Sequence, residues 1–185
     1  MLMKAKDRAM EPKVKLITGV LYPDGEDGEK WFAWTQKELE AVWGEHEDIS
    51  QPVPFSITDY YKDIAPRLVR RFICFKGLAL AGGLPDWKLS AIDIEGKSRS
   101  PRVVNIDPGY VDGARLILAS TKDHAHRVYI RDGIFAEVTM RFRFGKWTPF
   151  DYTFPDFASG AYDKFLSAAR VSWLEGRKIE GRAKL

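Results

Sequence analysis

The chain has 185 residues, of which 45% are hydrophobic and 30% are charged, and its formal net charge is +3. This composition excludes a disordered chain and predicts one globular domain over residues 1–185, with an ordered core at about 13–176 between short basic tails. The small, dispersed positive charge does not favour nucleic acid as a partner, although it does not exclude it.

No apolar stretch approaches the roughly 20 residues that a membrane-spanning helix needs, and the basic start of the chain lacks the apolar segment of a signal peptide. We therefore expect a cytoplasmic location and no membrane partner. The one cysteine, Cys74, lies in an apolar run. We interpret it as a small buried residue, and a lone thiol fits a reducing compartment.

Apolar runs and turn residues alternate through the first half of the chain. Helical spacing of aromatic and aliphatic side chains distinguishes helices from strands, and Pro52 and Pro54 argue against a central strand. These patterns predict a strand at 15–22, a helix at 31–46, an extended edge or loop at 51–61, a strand at 70–76 and a helix within 85–96.

In the second half, residues 103–106 predict a short strand, and Asp107-Pro108-Gly109 predicts the turn that ends it. Residues 112–120 suit a strand and a helix equally well. Residues 147–157 are rich in proline and aromatic side chains, which is typical of a connection. A closing helix is expected at 159–177, where apolar residues again follow helical spacing.

The clearest pattern lies at residues 134–144, where the even positions are apolar and most odd positions are polar. Strict alternation predicts a strand with one buried face. Asp132-Gly133 precedes this strand and predicts a hairpin turn.

The length of that hairpin loop sets the register of the preceding strand. A three-residue loop at 131–133 would place Val128 and Ile130 on the core face, whereas a two-residue loop would expose them. We expect burial to select the three-residue loop. This register pairs Arg127 with Glu137 and Tyr129 with Phe135.

Together these elements predict an α+β fold, in which two or three helices pack on one face of a mainly antiparallel sheet. The opening order of strand, helix and strand also allows a ferredoxin-like arrangement.

Three common kinds of site lack their sequence signals. His124 and His126 have the spacing of a metal pair on one strand, but no third ligand has diagnostic spacing, so we predict structural histidines and no metal. No nucleophile elbow accompanies Ser120. Neither a phosphate-binding loop of the G-x-x-x-x-G-K-[ST] type nor a G-x-G-x-x-G element occurs.

An anion-binding site has more support, because arginine side chains match phosphate and carboxylate groups well. The cations would meet only if their strands are neighbours, and a charged outer sheet face is the alternative interpretation. The candidate cations are Arg70, Arg71, Lys122, Arg127 and Arg141, and the aromatic residues that could stack nearby are Tyr60, Tyr61, Tyr129 and Phe135.

Several polar-aromatic segments resemble one protein family in combination. They are Thr58-Asp59-Tyr60-Tyr61, Arg71-Phe72 with Phe75, Val104-Asn105-Ile106-Asp107-Pro108-Gly109-Tyr110, Ala119-Ser120-Thr121-Lys122-Asp123, His126-Arg127 with Tyr129, Gly133-Ile134-Phe135-Ala136-Glu137-Val138-Thr139, and Tyr152-Thr153-Phe154-Pro155-Asp156. The chain resembles, over residues 15–173, an uncharacterised prokaryotic family of about 180 residues catalogued as a domain of unknown function. Some members carry an automatic label of GTP-binding protein, which the missing phosphate loop does not support.

Polar residues that match these motifs come from distant segments, and we expect them to converge on one site. The expected acid–base residues are Asp107, Lys122, His126 and Glu137. The expected ligand-binding residues are Asp59, Tyr60, Arg71, Asn105, Asp123, Arg127, Tyr129 and Thr139.

Two functional hypotheses follow. The first is a domain that binds, and as an enzyme would convert, an anionic or phosphorylated small molecule. The second is a non-catalytic module that docks protein or single-stranded RNA through the aromatic segments at 58–61 and 147–157. The sequence specifies neither a cofactor nor an oligomeric state.

Overall fold

The computed structural model describes residues 11–55 and 64–182, which form ten strands and four α-helices. The strands are β1 Lys13–Pro23, β2 His46–Ile49, β3 Val53–Phe55, β4 Leu68–Phe75, β5 Ala79–Leu80, β6 Asn105–Val111, β7 Arg115–Ser120, β8 Arg127–Arg131, β9 Ile134–Arg143 and β10 Lys146–Pro149. The helices are α1 Glu26–Trp43, α2 Leu84–Ser98, α3 Pro155–Ala158 and α4 Asp163–Arg182.

The sheet follows the order β10, β9, β7, β6, β1, β4 and β2, with β3 beside β4, β5 beside β1 and β8 beside β9. Every strand pair is antiparallel. The predicted α+β class with a mainly antiparallel sheet is therefore confirmed, whereas the ferredoxin-like arrangement is not. None of the helices in the described ranges is both long and apolar enough to cross a membrane.

The prediction that the helices pack on one face is wrong, because both faces of the central strands are covered. On one side of β1, Leu16 packs in a cluster with Phe32 of α1 and Ile94 of α2. On the other side, Ile17 packs in a cluster with Phe165 of α4. A strand buried on both faces reads as a near-continuous apolar run, and such a run does not reveal how many helices cover it.

The core under α4 contains several aromatic rings in contact. The ring of Phe72 lies 5.7 Å from that of Phe157 and 4.9 Å from that of Tyr162, measured between centroids. Cys74 is buried in the same cluster, and burial raises the pKa of its thiol. The interpretation of Cys74 as a small buried residue is confirmed.

The strands expected at 15–22 and 70–76 and the helices expected at 31–46, within 85–96 and at 159–177 are present with shifted ends. The ambiguous segment at 112–120 contains β7. The connection at 147–157 contains part of β10 and the short helix α3. Burial against the sheet, which local propensity does not report, resolved the ambiguous segment.

The turn expected at Asp107-Pro108-Gly109 is wrong, because β6 runs straight through these residues. Ile106 directs its N–H and carbonyl to side chains of α2, and therefore away from β1. Directions alternate along a strand, so Pro108 also turns its nitrogen away from β1. The missing N–H of the proline therefore removes no hydrogen bond to β1, and the strand can continue.

The β8–β9 hairpin has the predicted register but not the predicted loop. Arg127 lies opposite Glu137, and Tyr129 lies opposite Phe135. Asp132 has a φ of 54° and Gly133 one of 75°, as a two-residue type I′ turn requires. The extra residue lies instead at an irregularity between Tyr129 and Arg131.

The expectation that Val128 and Ile130 of β8 are buried is wrong. Their exposed fractions are 68% and 44%, and Tyr129 on the opposite face is also exposed. β8 pairs with β9 and lies at the edge of the sheet. The residue pattern of β8 distinguishes its two faces but does not show whether another element covers either face.

Candidate functional site

A cavity of about 520 Å³ opens where β6 and β7 separate. Residues 109–111 of β6 pair with residues 116–118 of β7, but the first residues of β6 have no partner in that strand. β7 instead continues alongside β9 as far as Ser120. The divergence of two strands in the middle of the sheet creates the space.

Two charged side chains of α2 form hydrogen bonds with the backbone groups of β6 that have no partner in β7. The N–H of Ile106 donates to Glu95 Oε1 at 2.7 Å, and Lys88 Nζ donates to the carbonyl oxygen of Ile106 at 2.6 Å. Buried backbone groups need partners, so these bonds replace those that β7 would provide. Lys88 Nζ also donates to Asp107 Oδ1 at 3.0 Å, which ties α2 to the cavity wall.

The pKa values of the two carboxyl groups on this wall, Asp107 and Glu95, are shifted in opposite directions. Burial favours the neutral form of Asp107, but the charges of Lys88 and Arg70 and a 2.8 Å hydrogen bond from Asn105 Nδ2 outweigh it and lower the pKa of Asp107. Burial raises the pKa of Glu95, despite the opposing charges of Lys88 and Arg102. Asp107 is therefore held as an anion between cations.

The opposite wall is organised by the guanidinium group of Arg127. Its Nε donates to Glu137 Oε2 at 2.8 Å, and its Nη1 donates to Ser120 Oγ at 2.8 Å and to the carbonyl oxygen of Lys122 at 3.1 Å. Thr139 Oγ1 donates to Glu137 Oε1 at 3.2 Å. These bonds fix Arg127 and Glu137 at the wall, where both are nearly buried.

His126 lies behind this wall, with its Nε2 3.2 Å from Glu137 Oε2. Its ring stacks between the rings of His124 and Tyr152, with centroid distances of 5.7 Å and 4.2 Å. His124 itself lines the cavity.

A third side of the cavity combines an ion pair with aromatic rings. Arg70 forms a buried ion pair with Asp156, and its guanidinium carbon lies 4.4 Å from the ring centroid of Phe55 and 5.4 Å from that of Phe157. Tyr162 donates its hydroxyl hydrogen to Asp156 Oδ2 at 2.9 Å. This side gives the cavity an apolar surface beside its charged walls.

The structure gathers about half of the predicted site residues. Those that line the cavity are Asn105, Asp107, Lys122, Arg127, Glu137 and Thr139. His126 joins them through Glu137. Asp59 and Tyr60 fall outside the described residues.

Three of the predicted ligand-binding residues do not line the cavity. Arg71 points to the α1 side of the sheet, where its Nε donates to the carbonyl oxygen of Ser50 at 3.0 Å and its guanidinium lies over Phe32. Arg70 takes its place, since successive side chains of a strand point to opposite faces. Tyr129 is exposed on β8, and Asp123 is exposed in the turn before it.

Sequence reasoning missed Lys88, Glu95 and Arg102, although all three line the cavity. One signal was present for two of them. Lys88 and Glu95 are spaced seven residues apart on the apolar stripe that also buries Ala91. Charged residues on the buried face of a helix need partners, and so indicate a polar site beneath the helix.

The aromatic segment at 147–157 is largely built into the fold. Trp147 and Phe157 are buried, and Tyr152 donates its hydroxyl hydrogen to the carbonyl oxygen of Val138 at 2.8 Å. Among the residues that the structure describes, no three His, Cys, Asp or Glu side chains lie close enough together to hold a metal ion.

The fold and cavity define an α+β domain with a charged pocket in the middle of its sheet. Residues 12–173 match the family model described as Domain of unknown function (DUF4416), so the chain belongs to that family. No curated protein and no solved structure matched the chain.

Proposed function

We propose that the cavity binds a small anionic molecule that carries a phosphate group. The observation that carries this proposal is the charge of the lining, in which cations outnumber carboxylates. The cations are Arg70, Lys88, Arg102, Lys122 and Arg127, and the carboxylates are Glu95, Asp107 and Glu137. A small-molecule pocket of this kind typically encloses about 300–1,000 Å³, and the cavity falls within that range.

The end of β7 offers the chemistry that a phosphate group requires. Ser120, Thr121 and Lys122 follow one another along the cavity wall, and Arg127 lies beside them. Hydroxyl groups and cations together supply donors to several phosphate oxygens, and charge-assisted bonds are the stronger ones. The bonds from Arg127 to Ser120 and Glu137 orient the guanidinium before a ligand arrives.

The proposed acid–base groups are Asp107 and Glu137, on opposite walls of the cavity, with Lys122 beside Arg127 and His126 behind Glu137. Two carboxylates that face a bound ligand from different sides are suited to moving a proton. Catalysis by these residues stays a prediction, as do the cytoplasmic location and the prokaryotic source.

A thermal-shift screen of phosphate monoesters, followed by calorimetric titration of the strongest binders, tests the proposal. Arg127→Gln should weaken binding about tenfold or more, because it removes a charge-assisted bond. Arg71→Gln is the matched control, since Arg71 is an arginine of the same sheet that points to the other face. It should leave the affinity unchanged.

The proposal fails if no phosphate monoester raises the melting temperature of the wild-type protein. It also fails if Arg127→Gln and Arg71→Gln weaken binding equally, because the effect would then not arise in the cavity.

An interaction module is the second candidate, and the exposed apolar side chains of β8 favour it. Val128, Tyr129 and Ile130 lie on an edge strand, and such edges can accept a further strand from a partner. Replacement of Val128 and Ile130 by threonine should abolish capture of a stoichiometric protein partner from native lysate. Retention of that partner by the double variant would contradict this candidate.

A further inference from the structure

Four rings form a column that leads to the cavity. The interplanar angle is 2° between Phe150 and Tyr152, 7° between Tyr152 and His126, and 3° between His126 and His124. The corresponding centroid distances are 5.3, 4.2 and 5.7 Å. At the far end, the guanidinium carbon of Arg141 lies 5.2 Å from the ring centroid of Phe150.

The column is held in place by polar contacts to β9. Tyr152 donates its hydroxyl hydrogen to the carbonyl oxygen of Val138 at 2.8 Å, and His126 Nε2 lies 3.2 Å from Glu137 Oε2. The orientation of these inner rings is thus set by the fold, and parallel packing on them sets the plane of His124.

His124 is the end of the column that meets the cavity. It lines the cavity and is exposed, and among the described residues His126 alone packs its ring on it. The carbonyl oxygen of His124 accepts a hydrogen bond from the N–H of Arg127 at 2.9 Å. The turn that presents the His124 ring therefore also positions the arginine of the proposed phosphate site.

We propose that the ligand joins a planar unsaturated ring to its phosphate, and that this ring stacks on His124 and extends the column. This inference rests on the proposed function, because Ser120, Lys122 and Arg127 would receive the phosphate at the same time. Stacking on an aromatic face tolerates many ring types, so a nucleobase and a simpler aromatic ring share the required chemistry.

Two matched pairs of probes test the ring by calorimetric titration. Adenosine monophosphate is compared with ribose 5-phosphate, and phenyl phosphate is compared with inorganic phosphate. Within at least one pair, the probe that carries the ring should bind about tenfold more tightly, which is within the range observed for one stacked base. A preference in the first pair alone identifies a nucleobase, and a preference in both identifies an aromatic ring in general.

His124→Ala removes the stacking surface, and His124→Phe keeps a ring of similar shape. We expect the alanine variant to lose the preference for the ring while it still binds ribose 5-phosphate, and the phenylalanine variant to retain the preference. Far-ultraviolet circular dichroism and melting temperature confirm that both variants are folded.

The possible failures separate the two proposals. Equal affinities within both pairs would overturn the stacked ring and leave the phosphate site standing. An unchanged ring preference in His124→Ala would also overturn it. Tight binding of adenosine, with no contribution from the phosphate, would overturn the phosphate site and with it the joined ligand, and would leave only the stacked ring.

Discussion

The two edges of β6 differ sharply. Along one edge, all seven residues from 105 to 111 pair with β1, whereas along the other only residues 109–111 pair with β7. The paired edge belongs to the apolar core. The unpaired stretch is satisfied by Lys88 and Glu95 of α2 and borders the cavity. A sheet can therefore hold a charged pocket at its centre if side chains supply the hydrogen bonds that the neighbouring strand does not.

The edge of β6 that faces β7 has a closed end, where residues 109–111 pair with β7, and an open end, where residues 105–107 border the cavity. The two ends also differ in packing. At the closed end, a Cβ atom on Gly109 would lie 2.1 Å from the carbonyl oxygen of Ile117, so the strands approach too closely for any side chain. At the open end, Asp107 and Asn105 project into the cavity. Pro108 lies between the two ends, and its missing N–H removes one donor toward β7.

The largest effect is expected from Lys88→Met, which removes the amine that partners Ile106 and Asp107. Lys88 is buried and lies close to the carboxyl groups of Glu95 and Asp107, so its loss leaves buried negative charge without compensation. The free energy of unfolding should therefore fall by about 3–5 kcal/mol. Urea denaturation measures the loss. Lys97→Met is the control on the same helix, where the exposed ion pair with Glu38 contributes at most about 1 kcal/mol. Equal losses in the two variants would show that the amine of Lys88 does not hold the unpaired edge.

Gly109→Ala should disrupt the closed end, because the new methyl group meets backbone atoms that cannot move aside. We expect the free energy of unfolding to fall by about 3 kcal/mol. Gly96→Ala is the control, since a Cβ there meets open space on α2 and a helical glycine is a poor helix former. Thermal and urea unfolding should show a gain of up to about 1 kcal/mol for Gly96→Ala. A tolerated Gly109→Ala would mean that the strands can separate at this end as well.

Pro108→Ala tests whether the proline lies where β7 has separated from β6. It should lower the free energy of unfolding by about 0.4–1 kcal/mol, because the unfolded chain gains freedom and the new N–H finds no partner strand. A clear gain in stability, seen as a higher urea midpoint, would instead mean that the N–H completes a ladder with β7.

The smallest effect is expected in how the contributions of Asp107 and Glu95 to the free energy of unfolding change with pH. The folded-state pKa of Asp107 is lowered, so the stability that its ionised form contributes is present above its ordinary pKa near 3.8 and is lost as the pH falls through the lower folded value. The stability difference between wild type and Asp107→Asn should be constant above about pH 5 and should shrink below pH 3.8.

Glu95 should show the opposite slope in the same urea titrations. Its pKa is raised by burial, so ionisation destabilises the folded state as the pH rises above the ordinary value of 4.5. Wild type should therefore lose stability relative to Glu95→Gln over that rise. Parallel pH profiles for the two variants would contradict the opposite shifts.

Local patterns predicted the elements well where burial was one-sided or complete. The alternation at residues 134–144 and the apolar run of β1 both correspond to strands, and α1, α2 and α4 lie where helices were expected. The polar positions Glu137 and Thr139 of the alternating strand are nevertheless buried, because they face the cavity and not the solvent. Alternation separates the two faces of a strand but does not say what lies against each face.

The candidate site was predictable only in part. Asn105, Asp107, Lys122, Arg127 and Glu137 were recognised as polar motif residues, and they do converge. Arg71 was preferred to Arg70, although the two differ only in the face of β4 to which they point. The buried charges of α2 were overlooked because their partners lie in a distant strand.

The sequence by itself determined the α+β class and most strands and helices, because these depend on periodicity within short segments. Only the tertiary structure decided that helices cover both faces of the sheet and that β6 passes through Asp107-Pro108-Gly109. It also decided that side chains of α2 supply hydrogen bonds to β6 where β7 does not. Those features depend on which distant backbone groups find partners, and a hydrogen bond between distant segments leaves no periodic pattern in either one.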